Sequence, residues 1–75
     1  MSEFTVEAEL AGTVWKVEAK VGDALEEEDV IMIMESMKME IPVLAPETGK
    51  LLTIQVAEGD TVREGQVLVT MTASS

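Results

Sequence analysis

Gly12-Thr13-Val14-Trp15-Lys16-Val17-Glu18-Ala19-Lys20-Val21-Gly22-Asp23-Ala24-Leu25 is matched, at a constant offset of 37 residues, by Gly49-Lys50-Leu51-Leu52-Thr53-Ile54-Gln55-Val56-Ala57-Glu58-Gly59-Asp60-Thr61-Val62. Glycines and apolar positions coincide, and the register runs on without a gap: Glu27 meets Glu64, Val30 meets Val67, Ile31 meets Leu68 and Met34 meets Met71. Two copies are too few for a solenoid. The expectation is therefore two similar β-halves packed about a pseudo-two-fold axis, each needing the other to bury its apolar face. The segment joining the copies, Ser36 to Pro46, lies outside the well-matched part of both.

Within each copy the apolar spacing is three and then two (Val14, Val17, Ala19; Leu51, Ile54, Val56). That phase slip predicts a β-bulge and leaves Trp15 and Leu52 facing a rim or a partner. Upstream, Phe4, Val6, Ala8 and Leu10 alternate with polar residues, the period of a half-buried strand over Glu3 to Leu10. Gly22-Asp23 and Gly59-Asp60 are turn signals. Val30 to Met34, Val67 to Met71 and Ile41 to Leu44 are further strand-like runs, with Pro42 confining the last to an edge or a strand end. Glu26 to Asp29 has Arg63 to Gln66 as its counterpart, which contains a glycine and no apolar period, so both are read as turns, with Glu28 in place of Gly65 expected to alter one of them. Short strands between evenly spaced turns predict an all-β chain: a flattened barrel or sandwich of two pseudo-symmetric four-stranded halves, forming one domain over residues 1–75.

Composition narrows the function. The 75 residues contain neither cysteine nor histidine, which removes disulfides, the usual soft and imidazole metal ligands, and nucleophilic triads. Fifteen acidic residues against five basic ones give a net charge of −10, which repels nucleic-acid backbones and anionic membranes. No leader pattern or bilayer-length apolar run is present, so a soluble cytoplasmic protein, monomeric, is expected.

The remaining chemistry centres on Glu35-Ser36-Met37-Lys38-Met39-Glu40-Ile41-Pro42. Strands lead in and out, so Met37-Lys38-Met39 is placed at a tight hairpin with Lys38 in water. Turn tips favour Gly, Asn, Asp and Ser. An exposed lysine is ordinarily a solvated charge and a methionine ordinarily core filler. The tip position, the symmetric methionines and the junction of a duplication set this lysine apart as a modified one.

These residues, continued by Val43-Leu44-Ala45-Pro46 and Gly49, resemble the biotinylation motif of biotin carboxyl carrier proteins and biotinyl domains, and the likeness runs from about Glu3 to Thr72. Lipoyl domains resemble the chain in fold, but their lysine is typically preceded by aspartate. Here Met37 and Met39 flank it, which favours biotin. Ser36 stands where the family more often has alanine. The resemblance implies that Lys38 carries covalent biotin attached by a biotin protein ligase, and that Met37 and Met39 support it. It further implies that Glu35, Ser36 and Glu40 serve partner recognition. The arm would then carry a carboxyl group between biotin carboxylase and carboxyltransferase sites, the domain itself being no enzyme. A lysine amine in water is neutral in only about one molecule in a few thousand at pH 7, so activation is expected to come from the ligase. The other readings are a lipoyl carrier and an unmodified β interaction module.

Overall fold

A computed structural model describes residues 2–73. Eight strands follow in order: β1 (Glu3–Glu7), β2 (Gly12–Val17), β3 (Ala24–Leu25), β4 (Val30–Ser36), β5 (Met39–Leu44), β6 (Gly49–Ile54), β7 (Thr61–Val62) and β8 (Val67–Ala73). The described residues contain no helix, and so none long and apolar enough to cross a membrane. Two antiparallel four-stranded sheets, ordered β1-β8-β6-β3 and β5-β4-β2-β7, face each other in a body of 37 × 18 × 17 Å. The expected all-β fold is thus the sandwich; the sheets stay open and do not close into a barrel.

The duplication is more complete than the apolar pattern indicates. β1 to β4 map onto β5 to β8 at the same offset of 37, so the second copy begins inside the segment from Ser36 to Pro46 that the apolar pattern leaves between copies. The register confirms the mapping: Met34 faces Ile41 as Met71 faces Phe4. The place of β5 in the repeat is masked because, although Ile41, Val43 and Ala45 keep the apolar character of Phe4, Val6 and Ala8, the intervening polar Thr5, Glu7 and Glu9 are replaced by Pro42, Leu44 and Pro46, which blurs the alternation. Each sheet takes two strands from each copy, since β3 crosses to pair with β6 and β7 crosses to pair with β2. A single copy therefore cannot complete even one sheet.

The core repeats the same arithmetic. Fourteen of the fifteen buried apolar residues form seven pairs 37 apart, among them Val14 and Leu51, Ile31 and Leu68, and Met34 and Met71. Val6 is the fifteenth; its counterpart Val43 packs against the cluster from the edge. The expected bulges occur between Val14 and Lys16 and between Leu51 and Thr53. They swing Trp15 out to 49% exposure, and Leu52 remains half-buried. β1 ends at Glu7, sooner than the alternation predicts, just past a register shift at Val6/Glu7; Ala8 stays bonded to Gln66 and Gly65 of the turn before β8. Pro42 lies on β5, an edge strand, where its missing donor leaves no gap in the ladder.

Side-chain acceptors close the turns in matching pairs. Asp23 and Asp60 accept from the N–H groups of Lys20 and Ala57, and Asp29 and Gln66 from those of Glu26 and Arg63. The turn at Glu28 is not altered by the loss of glycine. Glu28 adopts φ 74° where Gly65 has 85°, and its N–H donates to the Ala45 carbonyl as that of Gly65 donates to Ala8. An L-residue held left-handed costs about 1–2 kcal/mol, partly offset by the greater freedom glycine has in the unfolded chain. Glu28→Gly is accordingly expected to stabilise the domain by roughly 0.5–1 kcal/mol, raising the melting temperature by several degrees in a thermal unfolding experiment.

Candidate functional site

The β4–β5 hairpin closes through the pairs Glu35–Glu40 and Ser36–Met39, leaving Met37 and Lys38 as a two-residue loop. Their φ angles are 52° and 65°. Positive φ at both central residues is the signature of a type I′ turn, whose twist matches that of the strands it joins. Asn-Gly supplies that conformation with little strain; Met-Lys does not. Met37 and Lys38, residue types that turn tips do not favour, thus carry their mismatch in the backbone. Met37→Asn should relieve part of the strain, stabilising the domain by about 1 kcal/mol, a gain of roughly 4–8 °C in melting temperature for a domain of this size.

Met37 is 91% exposed and Met39 64%. Lys38 is exposed as well and has neither a hydrogen bond nor an ion pair among the described residues. Its amine stands at the end of the paired hairpin, open to an incoming reagent. Glu35 and Glu40, also exposed, face each other directly across the strands. Like charges so placed destabilise a hairpin. Ser36 points the other way: its hydroxyl donates to the carbonyl of Ala11 at 2.9 Å, tying the hairpin to the loop before β2. Five of the six expected site residues thus crowd the tip as exposed groups, and Ser36 alone is engaged in the fold.

Support from Ala11 and Gly12 was not read from the sequence. A Cβ on Gly12 would lie 2.7 Å from the Glu35 carbonyl oxygen, so glycine lets β2 approach the hairpin stem. The available signal was a glycine opening each apolar run without turn residues around it, which marks close backbone approach. The described residues hold no cluster of three or more His, Cys, Asp or Glu suited to a metal.

Comparison with known proteins identifies the family to which this fold belongs. A family model described as "Biotin-requiring enzyme" matches residues 2–71. The chain is 44% identical over 72 residues to the biotin/lipoyl attachment protein of Bacillus subtilis, covering 96% of this chain and 99% of that one. It is 40% identical over 67 residues to a biotin carboxyl carrier protein of Streptococcus mutans, covering 89% of this chain and 52% of its relative. In structure it is similar to part of the urea carboxylase of Kluyveromyces lactis, with a TM-score of 0.90 and 33% identity over 96% of this chain and 6% of the enzyme. The chain is thus about as long as the first of these, spans half of the second, and corresponds to a small part of the third.

Proposed function

The chain belongs to the biotin/lipoyl attachment family, and we propose that it is a biotin carboxyl carrier domain in which Lys38 is the residue biotinylated by a biotin protein ligase. The observation that carries this reading is the strained Met37-Lys38 turn, which presents, between two exposed methionines, an amine without a partner among the described residues. Biotin attached there supplies a ureido nitrogen that takes up and gives up a carboxyl group. The chain's own residues do the rest of the work. The hairpin holds the attachment point clear of the sheets, and Met37 and Met39 offer apolar contact that repacks against more than one partner. Glu35 and Glu40 offer paired negative charge to a basic ligase surface.

The partners are then the ligase and the biotin carboxylase and carboxyltransferase of a biotin-dependent carboxylase, met in the cytoplasm by a monomeric, non-catalytic domain formed by residues 1–75. Tethering replaces bimolecular encounter by a high effective concentration at both sites. Biotin is preferred to lipoate because methionine, not aspartate, precedes Lys38.

Intact mass after incubation with biotin, ATP and a biotin protein ligase tests the assignment. One biotin-sized increase, absent from Lys38→Ala, is expected; no increase with an active ligase would overturn it. The double variant Met37→Ala/Met39→Ala should slow biotinylation at least several-fold with little change in melting temperature, since both side chains lie outside the core. Wild-type modification rates would remove the methionines from the recognition surface.

A further inference from the structure

β1 and β5 are the edge strands at which the two sheets stand open, and between them runs a groove of about 310 Å³. We propose that this groove docks the uncharged head of the biotin carried on Lys38, an inference that rests on the carrier reading above.

The groove follows the pseudo-two-fold axis, since β1 and β5 are counterparts. The copies match where they build the core, yet they differ here. Glu7 and Glu9 on one wall stand opposite in the duplication to Leu44 and Pro46 on the other. One wall is therefore acidic and the other apolar, over a floor that includes Val6 and Met34. Packing of the sandwich does not require that division, because Leu44 is 41% exposed and Glu7 and Glu9 are solvent-accessible.

The occupant follows from reach and chemistry. Ile41, which lines the groove, is three residues from Lys38 along β5, about 10 Å on an extended strand. A lysine side chain extended by a valeryl chain spans on the order of 14 Å at ordinary bond lengths, so its ring head reaches the groove without any backbone movement. Met39 and Ile41 lie on one face of β5, giving the arm an apolar track toward it. The head itself has an apolar thiophane ring and a ureido edge with two N–H donors. Leu44 and Ile41 suit the ring. The carboxylates of Glu7 and Glu9, the Thr5 hydroxyl and the edge-strand carbonyls supply acceptors for the N–H groups. The volume falls at the lower end of small-ligand sites, and the acidic wall disfavours an anionic head.

The test uses the isotopically labelled 75-residue chain, fully biotinylated by a ligase as judged by intact mass, compared with its unmodified form by NMR. Nuclear Overhauser contacts from the biotin rings to the methyl groups of Ile41 and Leu44 are expected, with amide shift changes at Leu10 and Val43. In Leu44→Glu those contacts and shift changes should vanish while the biotin mass remains. Complete biotinylation with shift changes confined to Met37, Lys38 and Met39 would overturn the docking site and leave the carrier assignment standing. Failure to acquire biotin would overturn both.

Discussion

Lys38→Arg is expected to abolish biotin attachment while leaving the fold unchanged. Arginine keeps the length and the charge, and it bears the same left-handed backbone strain as lysine, because φ 65° penalises any side chain with a Cβ. As an exposed substitution without a partner, it should alter stability by no more than about 0.5 kcal/mol. What it loses is the primary amine. The guanidinium stays protonated throughout the accessible pH range and does not act as an acyl acceptor. The other lysines are not placed to substitute: Lys16 and Lys50 lie within β2 and β6, Lys16 is paired with Glu18 at 4.0 Å, and Lys20 sits beside the Asp23 turn. Intact mass and a thermal melt on the same sample separate the two effects. Biotin acquired by the arginine variant would place the attachment site on another lysine and remove the hairpin from the account.

The largest stability effect is expected at Gly49, where alanine should cost at least 3 kcal/mol and leave little of the fold. Gly49 is buried in β6, between Leu25 of β3 and Ala73 of β8. A Cβ there would intrude on the carbonyl oxygen and carbon of Thr72, backbone atoms held in the β6–β8 ladder. No flexible side-chain end is available to move aside; the strands must separate instead. Overpacking of a core commonly costs 1–3 kcal/mol and sometimes more, and at about 0.05–0.15 kcal/mol per residue a domain of this length has only some 4–11 kcal/mol in all. The counterpart Gly12 meets the Glu35 oxygen at 2.7 Å, so alanine there should be milder and should shift the hairpin stem. Gly22 has nothing within 4 Å and is needed for its φ of 97° alone. Circular dichroism melts of the three alanine variants should rank them in that order, Gly49 lowest. A Gly49→Ala protein melting within a few degrees of the parent would show that β6 and β8 separate easily.

Much of this was legible in the chain because it is local. Apolar spacing at Val14, Val17 and Ala19, and again at Leu51, Ile54 and Val56, reports where a strand slips phase, and the bulges fall there. Gly-Asp pairs report turns through φ and an acceptor side chain three residues on. Met37-Lys38-Met39 stands out as poor turn chemistry where a turn has to be, which is a statement about two residues and their neighbours.

Other features depend on which distant segments meet, and periodicity carries no information about that. The membership of β5 in the second copy is plain from its pairing register but blurred in the chain, because Pro42 and Leu44 stand where β1 has Thr5 and Glu7 and so break the alternation. The exchange of β3 and β7 between sheets is decided by how two twisted half-structures close over a shared core. Glu28 keeps a glycine-like turn because the Ala45 carbonyl, seventeen residues away, holds its N–H in place. The bond from the Ser36 hydroxyl to the Ala11 carbonyl likewise joins residues 25 apart, and nothing local to Ser36 signals it. Sequence by itself determined the strands, the turns and the exposed lysine, all products of preferences acting within a few bonds. Tertiary structure alone decided the interleaving of the copies and the groove at their seam, because those arise from packing between segments that are far apart along the chain.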